Sequence, residues 1–294
     1  MFDNEKSQSI SGCITYSIDH YDGDERVIHE LAHHLRRELQ DKIIGAYLHG
    51  SQATQEANAF SDVDALVILR DLDNRSAEKA VLKKLIHSQK YFYKLDPLQH
   101  HGWFILKESQ LKQYPQTYFP HEIFEYCRSL YPDKGRELSI CYDESRIDYV
   151  QPLRDLCASL LGKLDRGWRP QNLYSLKSFL SEFMLLPALY VQARDRAGVF
   201  KKFSFSKARH DFTAEQWLIM DEISVIRAEW HYTINRWQKY LLTRSNKYFR
   251  KMAVQFAAPK IPDEIDQKLA GDFYERTKLL IDQILVKIHE FESN

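Results

Sequence analysis

The chain carries no excess of charge of either sign: 41 Lys and Arg balance 41 Asp and Glu across 294 residues. A general binder of long nucleic acid needs clustered positive charge, so that class is set aside, while a short local contact is not. No apolar run approaches the roughly 20 residues of a membrane span, so no membrane partner is expected. The opening MFDNEKSQSISG lacks the charged-then-apolar pattern of a signal peptide. Metal-ligand spacing is missing from the four cysteines, Cys13, Cys127, Cys141 and Cys157. They read as free, mostly buried thiols in a reducing cytoplasm. No repeat or low-complexity segment occurs. What is present is 44% hydrophobic and 13% aromatic residues, enough for a substantial core in one large or two ordinary domains.

The most informative stretch is 43–70, IIGAYLHGSQATQEANAFSDVDALVILR. An apolar strand, Ile43 to Leu48, ends at His49-Gly50-Ser51. A short polar helix and loop lead into a second strand, Asp62 to Leu69, rich in Val, Leu and Ile. Side chains alternate along a strand, so Asp62 and Asp64 share a face, roughly 7 Å apart. Such a pair suits a shared hard cation, since Mg²⁺ takes one or two carboxylates plus substrate phosphates. Gly50 lets a backbone approach a phosphate closely. Ser51 offers a hydroxyl and a cap for the following helix, whose free N–H groups suit an anion. A Gly-Ser turn or an Asp-x-Asp alone is common on protein surfaces. Their spacing, each abutting an apolar strand, is more specific.

Residues 45–69 resemble the signature of the nucleotidyltransferase superfamily that includes DNA polymerase β, poly(A) polymerases and the aminoglycoside nucleotidyltransferases: Gly-Ser, a spacer, then Asp-x-Asp on a strand. The resemblance implies that Gly50 and Ser51 hold a nucleoside triphosphate. It also implies that Asp62 and Asp64 bind Mg²⁺, with Mn²⁺ as an alternative. The superfamily usually has a third carboxylate on the next strand. Here that strand is expected over Leu98 to Leu106 and has none. Asp96 lies just outside its start, and His100 and His101 lie within it on opposite faces. Any of the three could take the acceptor proton, a histidine because its ordinary pKa is near neutral.

An amphipathic helix is expected from Glu25 to Gln40, with His29, His33 and His34 on a solvated face, and another from Ser76, as N-cap, to Phe92. Glu137 to Tyr142 could add a short strand. From Gln151 helical periodicities take over: Pro152–Leu164, Asn172–Arg196 with Pro187 inside, Thr213–Leu242 and Asp263–Phe291. The expected fold is therefore α/β (α+β), a small mixed sheet backed by helices, followed by an all-α bundle. The expected division is a polar, irregular segment over 1–24, the nucleotidyltransferase domain over 25–148 and the helical domain over 149–294. A basic run, VFKKFSFSKARHDF, reads as a loop and helix start, or as a source of cations. In the second reading Lys201 or Lys202 reaches the triphosphate, as the resemblance suggests. The reaction it implies is Mg-dependent transfer of a nucleoside monophosphate to an acceptor hydroxyl of a small molecule, a protein or a tRNA end, with pyrophosphate released. The competing reading is a catalytically degenerate nucleotide-binding sensor or toxin–antitoxin component.

Overall fold

The computed structural model of the chain describes residues 11–115, 119–131, 136–244 and 246–293. The expectation of an irregular N-terminal segment lies outside the described residues up to position 10. Beyond that it is corrected: Ser11–Ile18 is a strand, β1, antiparallel to the last strand, β6 (Arg136–Asp143). Tyr16 and Ile18 are buried on one side of this ladder with Leu138 and Ile140. Its register sets Cys13 opposite Cys141, and the two are joined by a disulfide. This corrects the reading of four free thiols and removes it as support for a reducing compartment. Cys127 and Cys157 are free and buried.

Helix α1 (Arg26–Leu39) starts where the Glu25 carboxylate accepts from the Val27 amide. It buries Ile28, Leu31, Leu35 and Leu39 against the sheet, together with His34, whose ring meets Tyr91. Next come β2 (Ile43–His49), the single turn α2 (Gly50–Ala53) and β3 (Asp64–Leu69). Two helices follow where one was expected, α3 (Arg75–Ser88) and α4 (Lys90–Leu95). Asn74, not Ser76, is the cap of α3, accepting from the Ala77 amide. Then come β4 (Trp103–Lys107) and β5 (Arg128–Tyr131).

The four-stranded sheet has the order β4-β3-β2-β5, with β3 and β4 parallel and the other pairs antiparallel, which is the expected small mixed sheet. Alternation assigns its faces. Ala65, Val67 and Leu69 pack with α1, α3 and α4, while Leu66 and Ile68 pack with Tyr16, Ile140 and Phe124.

The last strand ends at Asp143, and from Gln151 the described elements are all helices. These are α5 (Gln151–Asp165), α6 (Leu173–Phe183), α7 (Leu186–Asp195), α8 (Lys201–Arg209), α9 (Ala214–Ala228), α10 (Arg236–Leu242), α11 (Lys247–Ala257), α12 (Asp263–Leu269) and α13 (Phe273–Ser293). Three expected long helices are each split. Pro187 sits in the first turn of α7, where its missing N–H has no helical partner to lose, so α6 ends before it. The chain leaves α9 at Glu229, and Gly271, at φ +66°, turns it between α12 and α13. The basic run contains the expected helix start, with α8 covering Lys201–Arg209 and loop or turn confined to its ends. No helix among the described residues is long and apolar enough to cross a membrane.

The two parts share a core, since Phe60 and Leu98 pack among the helices. The buried guanidinium of Arg250 on α11 donates to Pro97 O at 2.9 Å and Gln99 O at 2.8 Å, and lies 3.7 Å from the Tyr93 ring centroid.

The disulfide cross-links positions 128 residues apart. Cys13→Ser should lower stability by about 2–4 kcal/mol in non-reducing denaturant titrations. Cys141→Ser should match it, and the double variant should add nothing further. Alkylation of four thiols in the folded, untreated protein would contradict the pairing.

Candidate active site

Strand β2 is buried along its whole length and ends at His49, which pairs with Asp64 at the start of β3. The chain reverses there at Gly50, with φ +67°. A Cβ on Gly50 would stand 2.7 Å from Asp64 Oδ2, so both the backbone angle and the contact require glycine. Ser51 follows within α2, half-buried. It does not cap that helix, which corrects the capping expectation: the N-cap residue is His49, without a side-chain bond.

Strand β3 is shorter than expected and begins at Asp64, so Asp62 precedes it. The extended lead-in is held by Gln99. Its side-chain amide accepts from Val63 N at 2.7 Å and donates to Val63 O at 3.0 Å, the two bonds a neighbouring strand would make. It is needed because β4 starts only at Trp103, opposite Ala65. The expected strand from Leu98 is corrected accordingly. Asp96 folds the chain into a turn, accepting from Leu98 N at 2.9 Å, and His100 and His101 lie in the loop. Freed from strand alternation, both histidines line the same cavity, which corrects their assignment to opposite faces.

That cavity, of about 540 Å³, lies between the sheet and the helices. It gathers Gly50, Ser51, Asp62, Asp64, His100 and His101 from one side and Lys201, Lys202 and Arg227 from the other. Asp96 is not among its lining residues. It is buried with the fully buried Lys177 of α6, whose ammonium donates to Asp96 Oδ2 at 2.6 Å and stands 2.9 Å from Asp62 Oδ1.

Residues 29–133 match the family model described as a nucleotidyltransferase domain. The chain carries a nucleotidyltransferase domain. No curated protein sequence matches it. Among solved structures, a crystal structure of the spectinomycin adenyltransferase AAD(9) from Enterococcus faecialis with ATP and spectinomycin is similar over 79% of this chain and 99% of that one. Identity is 12% and the TM-score 0.41.

In this nucleotidyltransferase domain the charges near the carboxylates come mainly from the helices. Burial pushes Asp62 up, but His100 and Lys177 outweigh it and hold the carboxyl far below the usual range. Burial pushes Asp96 up to about 6, against the pull of Lys177 and with the help of Asp62. Burial also brings Lys201 down to about 8, assisted by Arg227 and opposed by Asp64 and Asp62. Lys202 instead pairs with Glu56 at the rim.

His100 Nε2 meets Tyr174 O at 2.9 Å, so this nitrogen carries the hydrogen, and Nδ1 faces Asp62 Oδ2 at 3.7 Å. His49 is held neutral by burial, and its Nε2 has no hydrogen-bond partner among the described residues. The residues fit a hard cation: Asp62 and Asp64 bring two carboxylates to the same cavity, and of the first only Oδ1 is taken up by the Lys177 ammonium. Among the described residues no three His, Cys, Asp or Glu side chains gather into a complete cage. Water and substrate phosphate would have to supply the remaining ligands, as Mg²⁺ prefers.

Sequence reasoning did not single out Lys177, Gln99 or His49, and it read Arg227 as part of an apolar stripe. Two of these carried a signal. Lys177 stands among Leu176, Phe179 and Leu180, and Arg227 beside Ile226. A cation inside an apolar helix face must have a partner across it.

Lys177→Met should destabilise the protein by about 3–5 kcal/mol at pH 7, because two buried carboxylates lose their shared counter-charge. The folded pKa of Asp96, about 6, lies above its ordinary 3.8. Its contribution to stability is therefore full below the ordinary value and lost as pH rises through the folded one. The gap between variant and wild type should narrow from pH 7 to pH 4 in urea titrations. A gap independent of pH would contradict the pairing.

Proposed function

We propose that the protein transfers a nucleoside monophosphate from a nucleoside triphosphate to an acceptor hydroxyl, releasing pyrophosphate. The observation that carries this reading is the convergence of Gly50-Ser51 and the Asp62/Asp64 pair with Lys201 and Arg227 in one cavity. The turn at Gly50 brings its backbone close to the Asp64 carboxylate at the cavity wall, where a metal-bound phosphate would lie. Lys201 and Arg227 supply positive charge opposite the carboxylates, suited to the triphosphate. Asp62 and Asp64 would hold Mg²⁺ or Mn²⁺, which when bound neutralises charge on the attacking and leaving oxygens. The remaining contribution of the protein is positioning, which is most of what phosphoryl-group chemistry requires.

The acceptor proton falls to His101. Asp96 is committed to Lys177, and His100 has its Nε2 hydrogen on Tyr174 O and its other nitrogen toward Asp62. His101 keeps an exposed ring at the cavity wall. A second reading, nucleotide binding without transfer, is favoured by one feature: Lys177 already neutralises Asp62 from within.

The two separate on incubation with labelled triphosphate, Mg²⁺ and cell extract. The enzyme reading expects label on an acceptor, lost by at least about 100-fold in Asp62→Asn and Asp64→Asn, the loss of one electrostatic element of a site. His101→Gln should lower kcat and leave the triphosphate KM unchanged. Tight binding of triphosphate with no labelled product would establish the sensor instead.

Lys201 is charged below its pKa of about 8 and neutral above it. Triphosphate KM should therefore rise as pH passes from 7 to 9. Lys201→Arg, which stays charged, should flatten that limb. A limb of equal size in the arginine variant would assign it to another group.

A further inference from the structure

The neutral composition hides one strongly polarised segment. From Trp230 to Pro262 there is no Asp or Glu, against seven Lys and Arg: Arg236, Lys239, Arg244, Lys247, Arg250, Lys251 and Lys260. The rest of the chain holds the other 34 basic residues and all 41 acidic ones. The segment centres on the hairpin of α10 and α11. Arg250 is spent on the loop that carries His100. Arg236, Lys239, Arg244 and Lys251 are exposed and make no ion pair among the described residues.

The same hairpin exposes its large side chains. Trp237 is 66% exposed, Tyr240 52%, Tyr248 85%, Met252 61% and Phe256 84%. Tyr248, Met252 and Phe256 recur every four residues and form a ridge along the outer face of α11. Ala253, Val254 and Ala257 turn inward. On α10 the Trp237 and Tyr240 rings stack, with centroids 5.9 Å apart and planes 19° from parallel, and the Arg244 guanidinium lies 4.0 Å from the Tyr240 centroid. A fold with no use for this surface would not leave it bare: exposed rings on this scale mark a binding face.

We propose that the α10–α11 hairpin binds a short single strand of RNA. Phosphates would meet the four unpaired cations, and bases would stack on the exposed rings, the combination that single-strand binders use. Charge complementarity selects a polyanion and argues against a second copy of this chain, whose hairpin would carry the same positive charge. An anionic membrane fits less well. Insertion of the Tyr240 ring would carry the Arg244 guanidinium stacked on it into hydrocarbon. The surface is small, so it engages a few nucleotides and not a long duplex, in keeping with a chain of zero net charge. Through Arg250 the hairpin is bonded to the loop 97–101, whose Gln99 positions the lead-in to Asp64. A strand held there would lie against an element continuous with the candidate active site.

The test is fluorescence anisotropy of the full chain with a 5′-labelled 12-nucleotide poly(U) RNA, with phosphatidylglycerol vesicles measured in parallel. Binding should weaken with salt along a log–log slope of about −2 to −3, from four phosphate contacts on a single strand. Trp237→Ala with Tyr240→Ala should weaken it at least about 10-fold by loss of stacking. Arg236→Glu with Arg244→Glu should weaken it more and lower the slope. Both pairs of sites are exposed, and an unchanged thermal midpoint shows the variants folded. Three results overturn the proposal: no RNA binding at 50 mM salt, RNA binding indifferent to both double variants, or vesicle binding that these variants abolish while RNA does not bind.

Discussion

One ammonium joins the two parts of this molecule. Lys177 leaves α6, fully buried, and meets buried Asp96 at the end of α4 and Asp62 beside the cavity. Such a triad adds little net stability, because desolvating three charges costs nearly what their attraction returns. Its consequence is placement. Asp62 cannot turn away without leaving a buried cation half-compensated, so the helices decide where the first carboxylate of the pair points. Tyr232, which donates to Asp96 at 3.4 Å, and Phe60, packed on Trp230, add to the same seam.

Around that seam the backbone follows from local shortages. Strand β4 starts too late to pair with the residues before Asp64, and the Gln99 side chain takes over its two bonds. The freed loop then brings His100 and His101 into one cavity, which a regular strand could not do. Gly50 is fixed from both directions, by a left-handed backbone and by the Asp64 carboxylate where a side chain would be. The geometry is over-determined in the way a site built on positioning needs.

Much of this was legible in the sequence, because it is local. The Gly-Ser turn, the Asp-x-Asp and the two apolar strands lie within 28 residues, and periodicity separates sheet from helix reliably at this length. The parts that were not legible depend on pairings across the chain. Cys13 and Cys141 meet only because β1 finds β6, and Lys177 is 81 residues from Asp96. The misplaced start of β4 has a different origin: LQHHGWFIL is apolar enough to read as one strand, and the Asp96 turn that peels away its first half uses a side chain to replace a backbone bond. The basic run was split by its own helix. Lys201 lines the cavity with Asp62 and Asp64 and feels their charge, while its neighbour Lys202 pairs with Glu56.

The central claim is that the cavity under this seam is where a triphosphate and its metal meet Asp62 and Asp64. A crystal structure with a non-hydrolysable nucleoside triphosphate and Mn²⁺, read by the anomalous signal of manganese, tests it most directly. The account predicts a manganese peak in contact with both carboxylates, with the phosphates running from Gly50-Ser51 toward Lys201. Manganese and nucleotide bound away from Asp62 and Asp64 would contradict it.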